Sequence, residues 1–225
     1  MSDVILEVCN LSKTFAEGDR QRRVFSNLNA SIRKGEFVVL LGRSGSGKST
    51  LLNLISGIDL PSGGEVRIGG RNLTGMTEQQ RTLFRRDHIG FVFQFYNLIP
   101  TLNVMENLLL PLELKKSLDA DSQRRALDIL QQVGLEDRSA SYPDRLSGGE
   151  QQRVAICRAL IHNPLVLLAD EPTGNLDAES GREVLALLDQ LIRKGRMTAL
   201  MVTHSAEVAR LADRVITIKD GGLVE

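Results

Sequence analysis

Short apolar runs alternate along this chain with longer segments whose apolar residues recur at helical spacing. The runs Phe37–Leu41, Leu165–Ala169 and Thr198–Val202 show little polar alternation, which is typical of parallel strands covered on both faces. From Val184 to Leu191 the apolar positions form one helical stripe, and Gly195 ends it. This alternation predicts an α/β fold with a mostly parallel sheet and crossover helices.

Two parts of the chain depart from that pattern. The alternating residues at 4–8 and 24–32 are typical of antiparallel strands and predict an N-terminal β side sheet. The stretch 94–147 has helical spacing and no strand-like run, which predicts an inserted helical lobe. We therefore expect a single domain, with residues 1–93 and 148–225 forming the α/β core and its side sheet.

Composition narrows the choice of partners and compartment. The chain has 225 residues with 28 Lys plus Arg and 28 Asp plus Glu, a balance that gives no basic surface for nucleic acid. Cys9 and Cys157 lie far apart in apolar surroundings, which favours reduced, buried thiols. Neither a signal segment nor an apolar run long enough to span a membrane is apparent. We therefore expect a cytoplasmic protein that binds no nucleic acid.

A glycine-rich loop follows the first predicted core strand. Its pattern G-x-x-x-x-G-K-[ST] is typical of phosphate-binding loops, because glycines allow backbone N–H groups to surround phosphate oxygens at a helix N-terminus. In this interpretation Lys48 reaches the β and γ phosphates of ATP and Ser49 binds Mg²⁺. The alternative, an ordinary glycine-rich turn, is disfavoured by the strand before the loop and the helix after it. The predicted nucleotide-binding residues are Gly42, Arg43, Ser44, Gly45, Ser46, Gly47, Lys48, Ser49 and Thr50.

Two carboxylates follow the predicted strand at 165–169, at the edge where open α/β sheets bind ligands. We expect Asp170 to hold Mg²⁺ through water. Glu171 is expected to polarise the water that attacks the γ-phosphate, since phosphoryl transfer depends on positioning and charge stabilisation. A simple helix cap is the alternative for such an acidic pair. The phosphate loop upstream favours catalytic roles for Glu171 and Lys48.

A second glycine loop opens another predicted helix. Ser147 can cap this helix, and Gly148 and Gly149 leave room for a phosphate at its free N–H groups, so a second anion site is predicted. On these residues alone, an ordinary capping box between Ser147 and Glu150 is the simpler interpretation.

The sequence LSGGEQQR at 146–153 resembles the signature motif of ABC ATPases. The phosphate loop, Gln94, the signature, the acidic pair and His204 follow that family's order, and the likeness covers nearly the whole chain. It implies a P-loop ABC cassette in which the signature loop of one monomer, at Ser147, Gly148, Gly149 and Glu150, faces the phosphate loop of another. ATP and Mg²⁺ would then lie in a homodimer interface, and the dimer would drive integral membrane permease subunits on separate chains.

The resemblance also implies roles for residues outside the two loops. Gln94 would bind Mg²⁺ and relay motion to the helical lobe, whereas His204 would contact the γ-phosphate and hold Glu171 in register. Asp177 would lie at the dimer seam, and Phe15 would stack on adenine. On the residues alone, a structural histidine and a side-sheet core phenylalanine are the alternatives.

Two residues depart from the family's pattern. Glu150 stands where Gln is commoner, and Ser205 follows His204 where Asp is usual. We expect both to be tolerated, although Ser205 leaves the hydrogen bonding of His204 open.

The segments 94–100 and 169–177 are similar to the bacterial branch that contains LolD, MacB, YbbA and FtsE. That likeness implies lipoprotein release or macrolide export at the cytoplasmic face of the inner membrane, with FtsE-like signalling as an open alternative. A P-loop kinase would share the phosphate loop but has no use for LSGGE or His204. A soluble ABC ATPase of DNA repair or translation usually carries tandem cassettes or a long coiled-coil insertion.

The apolar segment Phe95–Leu112 directly follows Gln94. Its position beside a residue expected to sense the γ-phosphate favours a docking surface for the membrane partner. The alternative is the core of the helical lobe, where most apolar clusters lie.

Overall fold

The fold is known from a computed structural model, which describes residues 3–18, 20–219 and 221–224. The strands in this part of the chain are β1 Val4–Glu17, β2 Arg20–Arg33, β3 Phe37–Leu41, β4 Gly63–Ile68, β5 Arg71–Asn72, β6 Ile89–Val92, β7 Val166–Asp170, β8 Thr198–Thr203, β9 Arg214–Lys219 and β10 Gly222–Val224. The α-helices are α1 Lys48–Ile55, α2 Glu78–His88, α3 Val104–Leu114, α4 Ala120–Gln132, α5 Gly148–Leu160, α6 Ala178–Gly195 and α7 Ala206–Ala209. Short 3₁₀ turns lie at Glu136–Arg138 and Pro143–Arg145.

The central sheet has the strand order β10-β9-β3-β8-β7-β6, and every neighbouring pair except β10 with β9 is parallel. Phe37 and Val39 of β3 belong to a core shared with α3, α5 and α6. Val38 and Leu40 belong to a second core, shared with α1 and the side sheet. This burial on both faces confirms the predicted parallel sheet and explains why β3 lacks polar alternation.

The second sheet is antiparallel, with the order β2-β1-β4-β5, and it confirms the predicted side sheet. β1 and β2 have 14 residues each, which is longer than the apolar patterns that predicted them. The outer part of this hairpin pairs Phe15 with Arg22, both of them exposed. The backbone ladder, rather than buried side chains, therefore extends the strands into a polar region that alternation does not reveal.

Between β6 and β7 the chain contains helices and turns without a strand. α3 and α4 pack on α5 around one buried core, which is continuous with the core under the central sheet. Asn107 of α3 is fully buried, and its amide donates to the backbone oxygens of Ile99 and Leu102. These bonds fix the loop after β6 on the helical segment. The lobe boundaries at 94 and 147 stay a prediction.

No prediction was made for α2, α7, β4, β5, β9 or β10. α2 begins at a capping box between Thr77 and Gln80, β9 pairs in parallel with β3, and β10 folds back on β9. β9 and β10 widen the central sheet beside β3, the strand before the phosphate loop, whereas α2 packs at β6 near the opposite edge.

Two expectations drawn from composition can be compared with this fold. Cys9 and Cys157 are free thiols, but only Cys157 is buried, whereas Cys9 is partly exposed. Burial raises the pKa of the Cys157 thiol to about 12, so it is protonated and unreactive at neutral pH. Among the helices of the described ranges, none has the length and apolar character needed to cross a bilayer.

Candidate active site

The phosphate-loop motif forms a tight turn between β3 and α1. Gly45 and Gly47 have φ angles of 77° and 96°, in the left-handed region that favours glycine. A Cβ atom at Gly47 would also lie 2.7 Å from side-chain atoms of Phe25 and Val24 on β2. The side sheet therefore packs directly against the loop, and Gly47 is needed for space as well as for conformation.

Lys48 begins α1 and reaches back across the loop. Its side chain is buried, and Nζ donates to the backbone oxygens of Gly42 at 2.9 Å and Arg43 at 3.2 Å. In the same turn the buried hydroxyl of Ser46 has no hydrogen-bond partner among the described residues. A cation beside an unpaired buried hydroxyl fits a phosphate ligand, because buried polar groups are normally hydrogen-bonded.

Glu171 connects the phosphate loop with His204. It directly follows β7 with a left-handed φ of 42°, and its backbone N–H donates to the oxygen of Val202 on β8. Its Oε2 atom lies 2.8 Å from Nδ1 of His204, and its Oε1 atom lies 3.6 Å from Nζ of Lys48. The structure thus brings Glu171 into contact with both of the other residues predicted to be catalytic.

Asp170 ends β7 and faces the start of α1. Burial raises the pKa of its carboxyl above the ordinary range, and a hydrogen bond with Ser49 and the charge of Lys48 oppose that rise. The Ser49 hydroxyl, the Asp170 carboxylate and the Gln94 amide are oxygen donors of the kind that Mg²⁺ prefers. Within the described ranges no group of three or more His, Cys, Asp or Glu residues is arranged to hold a metal ion. A magnesium site here therefore depends on the hydroxyl and the amide as well as on one carboxylate.

Gln94 follows β6 at the same edge of the sheet. Its Nε2 atom lies 3.4 Å from Oδ1 of Asn175, and the Asn175 amide donates to the Gln94 backbone oxygen at 3.0 Å. A Cβ atom at Gly174 would lie 3.0 Å from Nε2 of Gln94. These contacts connect the loop after β6 to the turn that follows Glu171.

A cavity of about 360 Å³ opens beside these groups. It is lined by Phe15, Arg22, Val24, Ser44, Gly45, Gly47, Lys48, Ser49, Thr50, Gln94 and Glu171. Phe15 is 38% exposed, and Nζ of Lys13 lies 4.7 Å from the centre of its ring. Phe15 is therefore not a side-sheet core residue, and its ring is available to a planar ligand in the cavity.

The second glycine loop lies outside this cavity. Ser147 caps α5, and the Glu150 carboxylate accepts the N–H of Ser147 at 2.7 Å, which completes the capping box. This bond holds the pKa of Glu150 below its usual range. A Cβ atom at Gly148 would lie 2.6 Å from the hydroxyl of Tyr96, in the loop after Gln94. The single chain does not bring Ser147, Gly148, Gly149 and Glu150 to the phosphate loop.

Two further residues lie at helix starts. Asp177 caps α6 by accepting the N–H groups of Glu179 and Ser180, and it does not line the cavity. The N–H of Ser205 donates to the Thr203 hydroxyl. Since Nδ1 of His204 contacts Glu171, the imidazole is oriented by the glutamate without help from an aspartate at 205.

Three residues near the site had no sequence prediction. Arg22 and Val24 line the cavity from β2, and Arg22 lies opposite Phe15 in the hairpin register. Extending the second strand beyond its apolar part would have found them. Arg158 of α5 donates to the backbone oxygens of Tyr96 and Asn97, joining the second glycine loop's helix to the loop after Gln94. Only the fold reveals that contact, because 61 residues separate Arg158 from Asn97.

The chain is similar to proteins of one family. The sequence model of the family described as "ABC transporter" matches residues 25–174. An uncharacterized ABC transporter ATP-binding protein of Mycobacterium tuberculosis is 54% identical over 98% of this chain and 89% of its own length. The lipoprotein-releasing system ATP-binding protein LolD of Psychrobacter arcticus is 43% identical over 96% of each chain.

Two further similarities concern assembly. The macrolide export ATP-binding/permease protein MacB of Escherichia coli is 45% identical over 98% of this chain, which corresponds to 34% of MacB. A solved dimeric, post-hydrolysis structure of the ATP-binding cassette MJ0796, bound to ADP and Pi, superposes with a TM-score of 0.88. That cassette is 42% identical, with 98% of this chain and 97% of the other covered.

Proposed function

Because the chain belongs to the ABC transporter family and is one of its ATP-binding, ATP-hydrolysing cassettes, we propose that it works as a homodimer with ATP bound at the interface. The dimer drives integral membrane permease subunits on separate chains, at the cytoplasmic face of the inner membrane. The contact of Glu171 with both Lys48 and His204 is the observation that carries this proposal.

The catalytic roles follow from that contact. Lys48 binds the β and γ phosphates and stabilises the charge that develops during transfer. Glu171 polarises the attacking water, and His204 orients the Glu171 carboxylate while contacting the γ-phosphate. Ser49, Gln94 and Asp170 would hold Mg²⁺, which would neutralise charge on the phosphates. Phe15 stacks on adenine at the cavity wall.

The dimer is supported by the separation of the two glycine loops within a single chain. The cavity contains the phosphate loop and Phe15, whereas Ser147, Gly148, Gly149 and Asp177 lie outside it. The N-terminus of α5 carries free N–H groups next to two glycines, a geometry that binds anions. In the proposed sandwich this anion site covers the phosphates bound by the partner chain, with Glu150 and Asp177 at the seam. The dimeric arrangement of the similar cassette MJ0796 supports the same assembly.

The membrane partner docks beside Gln94 in this proposal. Within the segment Phe95–Leu112, Val104 and Leu108 are fully buried in the helical core, so for these residues the core alternative holds. Tyr96 is partly buried and packs against Gly148. Phe95, 67% exposed, and Ile99 remain as apolar residues that a partner can cover.

The transport type is proposed as lipoprotein release or macrolide export, supported by the likeness to LolD and MacB. The test is to reconstitute the chain with its membrane subunit in proteoliposomes and to measure ATP hydrolysis with a triacylated lipoprotein or with a macrolide. One of these substrates should stimulate hydrolysis, and Glu171→Gln should abolish the stimulated rate. A complex that responds to neither would contradict the transport type, and failure to form any complex would contradict the separate membrane subunit.

A further inference from the structure

The second glycine loop of this chain carries a carboxylate. Glu150 stands in the first turn of α5, and its Oε2 atom accepts the Ser147 N–H at 2.7 Å, so the carboxylate is held at the helix start. That bond, together with the charges of Arg138 and Arg153, keeps the pKa of Glu150 below its usual range. The side chain is therefore ionised at neutral pH. A glutamine could make the same capping bond without a charge.

The charge of Glu150 lies where a phosphate is proposed to bind. The N–H groups of Gly148 and Gly149 belong to the first turn of α5, so they have no partner within the helix. They form the anion site that the proposed function assigns to the phosphates bound by the partner chain. A negative charge on the next residue opposes the approach of those phosphates. A cation beside Glu150 reduces this repulsion.

Arg138 is such a cation. It ends the 3₁₀ turn Glu136–Arg138, and its Nε atom lies 3.8 Å from Oε1 of Glu150. The Ser147 N–H binds the other oxygen, Oε2, so the two interactions do not compete. The Glu150 side chain is 20% exposed. Water and salt therefore screen its pair with Arg138 less than they screen a pair at an open surface.

Other charged side chains surround this pair. Nε of Arg138 also lies 3.9 Å from Oδ2 of Asp137, and Nη1 of Arg153 lies 3.6 Å from Oε2 of Glu183. Asp137 and Glu183 are 76% and 64% exposed, so water screens them more than it screens Glu150. These five residues are two arginines and three carboxylates, with a formal charge of minus one. Without Arg138 the charge would be minus two, next to the anion site.

The backbone around Arg138 is fixed by hydrogen bonds. Its carbonyl oxygen accepts the N–H of Ser141 at 2.8 Å. The oxygens of Ser139 and Ser141 accept the first N–H groups of α3, from Met105 and Val104, each at 2.9 Å. The 3₁₀ turn is thereby bound to α3. Because its backbone is already ordered, Arg138 loses little additional freedom when its side chain reaches Glu150.

The position of Arg138 gives it a role at the second glycine loop. We propose that Arg138 is a positioning residue for ATP-driven dimerisation: it neutralises Glu150, so that the second glycine loop accepts the phosphates of the partner chain's ATP. The inference rests on the dimer of the proposed function. It explains how this chain tolerates a glutamate where glutamine is commoner in the family.

The alternative is a purely structural link. Arg138 would then only fasten the 3₁₀ turn to α5, and the loss of either partner would loosen the same link. The two accounts differ in the expected effect of Glu150→Gln. Neutralisation predicts that this variant strengthens the dimer, because the opposing charge is gone and the capping bond remains. A structural link predicts that it weakens the dimer as much as Arg138→Gln does.

The experiment measures the dimer dissociation constant of the full chain with saturating ATP, by analytical ultracentrifugation in the Glu171→Gln background. Arg138→Gln should weaken the dimer about tenfold, about threefold at each of two ATP sites, as expected for losing a partly exposed ion pair. Arg138→Lys keeps the charge and should dimerise like the Glu171→Gln parent. Arg124→Gln, which removes an exposed ion pair with Asp121 on α4, is the matched control and should have no effect.

Three further measurements separate charge from structure. Arg138→Gln combined with Glu150→Gln restores the formal charge of the cluster and should dimerise like the parent. Raising the salt concentration should reduce the defect of Arg138→Gln, since the Debye length falls from about 10 Å at 0.1 M to about 3 Å at 1 M. ATP affinity of the monomer should not change, because Arg138 does not line the nucleotide cavity of its own chain.

Each outcome has a definite meaning. If the Glu171→Gln parent does not dimerise with ATP, the proposed function fails together with this inference. If the parent dimerises and Arg138→Gln dimerises equally well, only this inference is overturned. It is also overturned if Glu150→Gln weakens the dimer as Arg138→Gln does, or if the double variant stays as weak as Arg138→Gln, because both results describe a structural link.

Discussion

The imidazole of His204 is bound to Glu171, with Nδ1 2.8 Å from Oε2, although the two residues follow different strands of the sheet. β7 and β8 are parallel neighbours, so their carboxyl ends meet and deliver both side chains to one edge. Glu171 has 19% of its side chain exposed and His204 has 67%. The Glu171 side chain is therefore mostly buried at the cavity, and the His204 imidazole lies on its solvent-exposed side.

Binding and hydrolysis should separate in variants of these residues. Lys48→Ala should lose ATP affinity, because it removes the cation from the phosphate loop. Glu171→Gln and His204→Ala should keep binding but lose turnover on the order of a hundredfold or more, as expected for removing a positioned catalytic group. Fluorescent-nucleotide titration measures ATP affinity, and phosphate release measures turnover. Glu179→Gln, at an exposed position of α6, is the control. Near-normal turnover by Glu171→Gln would exclude its assigned role.

The contact between the phosphate loop and the side sheet should contribute to the free energy of unfolding. Gly45→Ala should cost about 1–2 kcal/mol of unfolding free energy, because alanine is strained at its positive φ. Gly47→Ala should cost more, since its Cβ would also lie 2.7 Å from Phe25 and Val24, whereas Gly45 has open space. Urea unfolding without nucleotide measures both variants. Equal losses would show that the side sheet does not constrain the loop.

Asp170 should lower the stability of the nucleotide-free chain at neutral pH. Its folded-state pKa is raised by burial, so the folded chain binds the proton more tightly than the unfolded chain. The stability that this group contributes then falls as pH rises from the unfolded pKa, about 3.9, through the folded pKa.

Asp170→Asn should therefore have a higher Tm than the wild type at pH 7 and should lose ATP hydrolysis. The difference in Tm should shrink as pH falls toward the ordinary aspartate pKa. Thermal unfolding across this range is the measurement, and Asp128→Asn on exposed α4 is the control. A lower Tm at pH 7 for Asp170→Asn would contradict the effect of burial.

Phe15 can be tested with a fluorescent reporter. The chain contains no tryptophan, so Phe15→Trp introduces a single one at the cavity wall. ATP should quench its fluorescence by stacking, and Phe15→Ala should lower ATP affinity by roughly tenfold, which corresponds to 1.4 kcal/mol, near the value of an aromatic pair. Tyr142→Trp, at an exposed position away from the cavity, should not respond. If the fluorescence of Phe15→Trp does not change while ATP is bound, Phe15 does not stack on adenine.

Much of the fold was predictable because the apolar runs in the sequence correspond to strands that are buried on both faces. The strands at β3, β7 and β8 are buried on both faces, so their sequences are continuously apolar. The outer hairpin and the short strand β5 were not predicted, because backbone pairing supports exposed polar residues there without an apolar signature. β4 was also missed, although Val66 and Ile68 alternate with polar residues there and are buried. Arg196 takes the left-handed φ of 48° after α6, where sequence reasoning looked to Gly195.

The sequence predicted which residues form the candidate site but not the contacts between them. Motif patterns identified Lys48 and Glu171, and the resemblance to ABC ATPases identified His204. The distances between them depend on the parallel register of β7 and β8. Arg22 and Arg158 belong to no motif, and only the fold brings them near the site. For Phe15 the resemblance predicted adenine stacking and the strand alone left a core residue as the alternative, and its exposure and its place in the cavity lining exclude that alternative.

The second glycine loop needs its own test. Glu171→Gln combined with Ser147→Asp adds a carboxylate at the exposed N-cap of α5, where the proposed partner phosphate binds. This double variant should bind ATP but should not dimerise, because the added charge repels the phosphate. Light scattering and nucleotide titration separate the two effects. A dimer that persists in the double variant would show that the second glycine loop does not contact ATP.

The sandwich itself is tested most directly by the mass of Glu171→Gln in solution. This variant binds ATP and cannot hydrolyse it, so both anion sites stay occupied and two chains remain joined. Multi-angle light scattering should give a monomer without nucleotide and a mass twice as large with saturating ATP, returning to the monomer with ADP. A mass that stays monomeric while both nucleotide sites are shown to be filled would contradict the account.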